Sequence, residues 1–368
     1  MNVVVEDSAA QLPGASETRD ALVEATSRIF RDLGDPQNHL RAGDKSHKPQ
    51  LWQALDDAGL TRAWVPEALG GAGAGISDGF EILTTAGRFA VAIPLAETML
   101  AAWLLSQAGL AVPGGMLSVA PVLDEDRIAL NQDGTLTGSA GAVPFARAAD
   151  YLAVLAWKAT RPVIALVERN LCAIEPCESI AREPRDRVCF ENLRPSAIAD
   201  APAAFCADNL IWMGAAIRAA QMSGALQALL DRSVQYANER VAFGRPIAKF
   251  QAIQHNLARL AGESAAALAA AGSAADAISQ AQAFDDAVFL EVASAKIRVG
   301  EAAGRGAAIA HQVHGAIGFS QEHPLHRYSQ RLWAWRDDFG GESVWAVRLG
   351  QRVAALGADA LWPTLSGR

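Results

Sequence analysis

Ten residues near the C-terminus, RDDFGGESVW (336–345), gather three carboxylates, Asp337, Asp338 and Glu342, around two adjacent glycines. A carboxylate held beside a carbon acid can act as a general base, worth roughly 10²–10⁴ in rate. The same acids have a plainer reading. Arg336-Asp337-Asp338 suits a solvated helix end, and Glu342 suits the first turn of a following helix, where the dipole favours an anion. A second stretch, ERVAFGRPIAKFQAIQHNLARLA (239–261), carries groups of another kind. Arg240 can grip a phosphate or pyrophosphate bidentately. Phe243 offers an aromatic face at the turn made by Gly244 and Pro246, while Gln251 and Gln254 bring amides for a polar ligand. Taken singly, each of these residues also fits a helix cap or a core ring.

Metal chemistry has little support. Cys172, Cys177, Cys189 and Cys206 form no CxxC pair, and His255, His311 and His314 have no repeating ligand spacing. The expectation is reduced structural thiols, satisfied histidines and no metal.

The elements that must position these groups follow from the whole chain. Its 368 residues suggest two or three domains. With 51% apolar and 20% charged residues the composition is globular, and a formal charge of −8 argues against nucleic acid as a partner. The polar start, MNVVVEDSAAQLPG, has no signal-peptide pattern, so a cytoplasmic protein is expected. Residues 98–123 lack charge, but Pro113-Gly114-Gly115 leaves only LAAWLLSQAGLAV, thirteen residues, too few to span a bilayer. That segment is predicted to be a buried helix.

Periodicity divides the chain into three. Residues 1–112 read as helical: SETRDALVEATSRIFRDLG capped at Ser16, KPQLWQALDDAGL, and SDGFEILTTAGRFAVA capped at Ser77 or Asp78. VPEALGGAGAGIS between the last two is a loop, since it lacks the strand–turn–helix context of a dinucleotide fingerprint. Residues 113–206 carry short β-type runs punctuated by QDG and GSAG, a small β-domain. Residues 207–368 return to helices, with Leu226/Leu230/Val234/Ala237, Phe250/Ile253/Leu257/Leu260 and Val288/Val292/Ala295/Val299 marking apolar faces of a bundle. The fold class is therefore α+β and multi-domain.

Three stretches resemble the acyl-CoA dehydrogenases. They are LWQALDDAGLTRAWVPEALGGAGAG (51–75), the 239–261 segment with its Arg-x-x-Phe-Gly-Arg-Pro-Ile turn, and HQVHGAIGFSQEHPLHRYSQR (311–331). The resemblance implies an N-terminal α-domain, a middle β-domain and a C-terminal four-helix bundle, assembled as an oligomer with FAD at the subunit interface. It also implies α,β-dehydrogenation of an acyl-CoA thioester: a carboxylate takes the α-proton while the β-hydride passes to FAD. Arg240, Phe243, Gln251 and Gln254 then become cofactor-binding candidates, with Gln312 and Gly315 lining the pyrophosphate of a neighbouring subunit. An electron-transfer flavoprotein is the implied electron acceptor.

The chain departs from the family at the base. The usual glutamate, counted from Gly318-Phe319, falls on Phe339, or on Gly340 with one inserted residue. The family's second location falls at about Gly214. The Thr-Glu-Pro stretch that opens the usual middle domain is replaced by SVAPVLDEDRIAL (118–130). Two readings follow: a relocated base, Glu342 or Asp338, or a heteromeric enzyme whose sister subunit supplies the base and shares the FAD. A related flavin oxidase or monooxygenase is a third reading, and a bare helical scaffold a fourth. Ala215, Ala216 and Gly224 are expected to leave room for a bulky acyl group.

Overall fold

The computed structural model describes residues 13–34 and 47–366. Among the described residues four α-helices come first: α1 (Pro13–Leu33), α2 (His47–Asp57), α3 (Ile76–Gly87) and α4 (Leu95–Gln107). Helix α1 begins at Pro13, so Ser16 lies inside it and is not its cap, proline being suited to a first helical turn. Helix α3 is capped by Gly75, whose N–H donates to the Asp78 carboxylate (3.1 Å); Ser77 and Asp78 belong to the first turn. Helix α4 is buried on every side from Leu95 to Leu105, as its unbroken apolar run requires. No helix among the described residues is long and apolar enough to cross a membrane.

Strands then follow: β1 (Leu117–Ala120), β2 (Arg127–Leu130), β3 (Leu136–Pro144), β4 (Tyr151–Lys158), β5 (Arg161–Glu168), β6 (Ala173–Glu175), β7 (Arg185–Leu193) and β8 (Ala197–Asp200). They form one sheet in the order β6-β7-β3-β2-β4-β5-β8, with β1 pairing parallel to β4. Alternate residues of β4 and β5 face two cores. Ala153 and Leu155 join the large helical core, whereas Leu152, Val154 and Ala156 join a smaller β core.

The bundle comprises α5 (Ala207–Glu239), α6 (Gln251–Gln280), α7 (Asp286–His314) and α8 (Leu325–Asp337), followed by α9 (Glu342–Leu356) and α10 (Ala358–Ser366). The apolar repeat of α7 is fully buried, but that of α5 runs outward: Leu226 is buried and Val234 is 39% exposed. Ala215, Ala216 and Gly224 leave no open space. The two alanines are buried, and a Cβ at 224 would collide with the backbone of Thr84 in α3. Small residues here bring α3 and α5 together and do not enlarge a substrate pocket, which corrects the expectation drawn from the sequence.

Candidate functional site

At the C-terminal end of α5 the chain turns through a two-residue hairpin, β9 (Val241–Ala242) against β10 (Arg245–Pro246). Its corner, Phe243-Gly244, has φ of 52° and 78°, the consecutive left-handed pair such a tight hairpin demands. Glycine adopts this freely, whereas phenylalanine does so at a cost of about 1–2 kcal/mol. Arg240 caps α5: its N–H donates to Tyr236 O (2.8 Å) and its carbonyl accepts from Ile247 N–H (2.8 Å). The Arg240 side chain is exposed and makes no ion pair among the described residues. Phe243 is 96% exposed, touched by Phe250 edge-on. Gln251 opens α6 and is exposed, while Gln254 donates to the Ala248 carbonyl (3.0 Å).

The segment after α7 lies at the same end of the bundle. The Tyr236 ring stacks on His314 at 4.5 Å, and its hydroxyl donates to the His314 carbonyl. Gln312 and Gly315 are exposed, and Gly315 (φ 64°) has open space where a side chain would project. Around them is an array of imidazoles. His311 lies between Phe319 and Trp333, and His314 between Tyr236 and His323. Burial, then His314 and Arg232, bring His323 down to about 4. His314 donates through Nδ1 to Ala310 O (2.8 Å), which leaves its buried Nε2 an acceptor without a partner. These histidines were expected to be satisfied; among the described residues both His311 Nδ1 and His314 Nε2 lack partners.

The acidic segment is built differently. Asp338 is buried and ion-paired to two arginines, Arg185 of β7 and Arg218 of α5, the latter through Nε at 2.9 Å. Arg218, 2% exposed, also donates to Glu97 of α4 (2.5 Å) and to Gln221 (2.5 Å). One guanidinium thus ties the N-terminal helices, and through Asp338 the sheet, to the end of α8. Burial and the neighbouring Arg218 lower Arg185 to about 10. Lys296 of α7, fully buried, donates to the last carbonyls of α8, Trp335 O (3.1 Å) and Arg336 O (2.6 Å). Burial, then Arg218, lowers its pKa to about 7. Asp337 is exposed beside Arg336. Glu342 is part-exposed at the N-terminus of α9, 3.6 Å from Arg336 Nε and packed near Gly300. Asp338 is therefore saturated by cations, while Glu342 has a loose surface pair.

Between the two acids Phe339-Gly340 makes another left-handed pair, φ 55° and 91°. The Phe339 ring is 3% exposed and seats on Gly214 of α5, where a Cβ would lie 2.5 Å from Cδ1 and Cε1. Trp345 Nε1 donates to the Phe339 carbonyl (2.9 Å) and holds the turn. Of the positions that the resemblance marks for a base, Phe339 and Gly214 are thus in contact, and Phe339, Gly340 and Gly214 carry a ring and two hydrogens.

Two cavities open between the sheet and the bundle, and Phe339 lines the larger of them. One of about 820 Å³ is lined by Val122, Leu123, Arg185, Trp333, Asp338 and Phe339, among others; one of about 530 Å³ is lined by Leu123, Arg127, Trp212, Phe289, Arg348 and Arg352, among others. The donor set at the α5 end fits FAD: an uncommitted guanidinium for the pyrophosphate, exposed amides, an aromatic face and a glycine permitting close approach. Among the described residues no group of His, Cys, Asp and Glu could hold a metal.

The pairings of Arg218, Glu97, Arg185 and Lys296 were not foreseen. A signal existed, because Arg218 and Glu97 are lone charges of opposite sign in otherwise apolar helical runs.

Comparison with known proteins agrees with this layout. Models of the acyl-CoA dehydrogenase N-terminal and C-terminal domains match residues 16–111 and 208–335 respectively, together more than half of the chain. The acyl-CoA dehydrogenase IpdE2 of Mycobacterium tuberculosis is 29% identical over 319 residues, 86% of this chain and 91% of the relative. The chain also superposes on the ChsE4–ChsE5 complex from Mycobacterium tuberculosis, with TM-score 0.82, 25% identity, and 95% of this chain and 99% of that one covered. The Tcur3481–Tcur3483 steroid ACAD gives TM-score 0.82 at 26% identity, covering 93% and 99%. The chain belongs to the acyl-CoA dehydrogenase family, a family of FAD-dependent oxidoreductases.

Proposed function

We propose that this chain is one subunit of a heteromeric FAD-dependent acyl-CoA dehydrogenase, and that the carboxylate which takes the α-proton belongs to a sister subunit. The observation that carries this reading is the seating of Phe339 on Gly214: neither base position of the family holds a proton acceptor here. Asp338 is occupied by two arginines, and taking a proton would break a buried network. Two structures that the chain is similar to are themselves complexes of two named components.

In this reading Arg240 and the amides of Gln251, Gln254 and Gln312 hold the dinucleotide, with Phe243 against it and Gly315 allowing close backbone approach. Bound FAD supplies the hydride acceptor. The chain's own contribution is binding, subunit contact and exclusion of water around the buried 338–340 turn. Hydrogen-bond donors around the thioester oxygen, which make the α-carbon acidic, would come with the base from the partner.

Co-expression with the product of a neighbouring acyl-CoA dehydrogenase gene tests the proposal. The complex should carry flavin colour and bleach anaerobically with an acyl-CoA. Bleaching should survive Glu342→Gln and Asp338→Asn in this chain and disappear when the sister's glutamate is replaced. A coloured homo-oligomer, bleached by acyl-CoA and silenced by Glu342→Gln, would instead establish the relocated base; Glu342, part-exposed and paired at 3.6 Å with Arg336, is the residue able to play it.

A further inference from the structure

The two segments assigned to the dinucleotide are joined inside the bundle by one tyrosine. Tyr236, in the last turn of α5, accepts the Arg240 N–H through its carbonyl (2.8 Å) and so sets the start of the Arg240 hairpin. Its hydroxyl donates to the carbonyl of His314 (3.3 Å), the last residue of α7. The N–H of that same peptide, on Gly315, donates to His311 O. Both ends of the 314–315 peptide are therefore tied, and Gly315 is held at φ 64° with open space beside it. Without the hydroxyl, a carbonyl at the end of a helix loses its partner and the peptide is held at one end only.

The rings stacked behind Tyr236 stay together in one protonation state, and hydrogen bonds fix which. Tyr236 lies on His314 at 4.5 Å, and the His323 ring is 4.8 Å from that of His314. His314 gives its Nδ1 proton to Ala310 O, so a second proton on its buried Nε2 would find no acceptor among the described residues. His323 accepts the Leu325 N–H on Nδ1 (3.2 Å). Protonating that nitrogen would set donor against donor at the start of α8. Two imidazolium rings would also repel each other at this separation. Facing them are Arg232 on α5, His311 on α7, and His326, Arg327 and Arg331 on α8. Of the nearby acids, Glu183 in the loop before β7 is committed to Arg331 (2.7 Å) and Glu322 is exposed. Burial brings His323 down to about 4 from an ordinary 6.5. Between those limits a released His323 binds the extra proton, so falling pH favours release.

We propose that Tyr236 is the positioning residue that joins the Arg240 hairpin and the Gly315 turn into one grip on FAD, and that acid opens this grip through His323 and His314. The inference rests on the assignment of Arg240, Gln312 and Gly315 to the dinucleotide, and adds to it an internal support and a control by protons.

Fluorescence titration of FAD into the flavin-stripped full-length chain, in the oligomer it forms, tests it between pH 8 and pH 4.5. Tyr236→Phe keeps the ring and loses the hydroxyl. Its FAD binding at pH 8 weakens about fivefold, the worth of one hydrogen bond, and its fall in acid begins at higher pH than in the wild type. His323→Asn offers an amide oxygen to the Leu325 N–H and does not titrate. The wild type loses about tenfold or more in affinity from pH 8 to pH 4.5, and His323→Asn loses about twofold or less relative to its own value at pH 8.

Arg240→Ala, titrated beside them, reports on the site itself. Undiminished binding in Arg240→Ala would remove the site assignment and this inference with it. Weakened binding in Arg240→Ala, with Tyr236→Phe equal to wild type, would overturn the positioning role while the site stands. The proton control would be overturned by an acid fall unchanged in His323→Asn, or by one that coincides with loss of far-UV circular dichroism.

Discussion

Two Phe–Gly turns in this molecule share a backbone and differ in almost everything else. Phe243-Gly244 and Phe339-Gly340 both place consecutive residues at positive φ, yet one ring is 96% exposed and the other 3%. Around the first, Arg240, Gln251 and Gln312 reach into solvent. Around the second, Asp338, Arg185, Arg218 and Glu97 are ion-paired in the interior. The first turn leaves its polar groups open to solvent, and the second closes on its own neighbours. A left-handed phenylalanine is therefore not a sign of either arrangement; what its neighbours leave unsatisfied decides.

The contrast breaks most sharply at Arg218. Replacing it with leucine strands Glu97 and half of the Asp338 partnership in the interior, which should cost about 3–5 kcal/mol in urea unfolding. Arg240→Ala, at the open turn, should leave apoprotein stability within about 0.5 kcal/mol of wild type. It should nevertheless weaken FAD binding about 10- to 100-fold, the worth of a charge-assisted pair, read by fluorescence titration. One region would then report through stability and the other through affinity.

Lys296 sharpens the comparison by pH. Its folded pKa of about 7 lies below the ordinary lysine value of 10.5. Between those limits the unfolded chain binds more protons, so stability should rise with pH from about 7 to about 10.5 through this residue. Lys296→Met should flatten that rise, at a cost of about 1–3 kcal/mol for the abandoned carbonyls of Trp335 and Arg336. His323 works in the same sense lower down. With a folded value near 4 against 6.5, its contribution is present above pH 6.5 and is lost as pH falls towards 4. Melting temperature between pH 7 and 4.5, compared with His323→Gln, checks the sign. Smallest of all is Glu342→Gln, expected to shift stability by less than about 0.5 kcal/mol, because its pair with Arg336 is long and solvent-screened.

Local signals made the outline legible. The three periodicities mark where helices yield to strands and return, and the Phe-Gly and Gly-Phe stretches mark the two segments that meet at the end of the bundle. The resemblance also locates the missing base on Phe339 or Gly340, and the family's second location at about Gly214. What spacing could not reveal is that Phe339 and Gly214 touch, since their separation along the chain carries no pattern. The same holds for Arg218, whose partners lie 121 residues before it and 120 after. The helix caps misread at Ser16 and Asp78 failed for a different reason: proline and glycine began those helices where a polar cap was sought. Small residues on α5 misled too, because an alanine or glycine face signals close helix packing as readily as an open pocket.

The Arg218 cluster also sets an order of assembly during synthesis. Glu97 leaves the ribosome well before Arg218, and Arg218 well before Asp338. Until residue 338 has emerged, Arg185 and Arg218 lack the carboxylate that pairs with both of them. The N-terminal helices and the sheet are thus poised to stay loosely docked in the nascent chain, and the last acid to arrive completes charge balance for all three parts at once. A chain truncated within α8 would lack that closing charge.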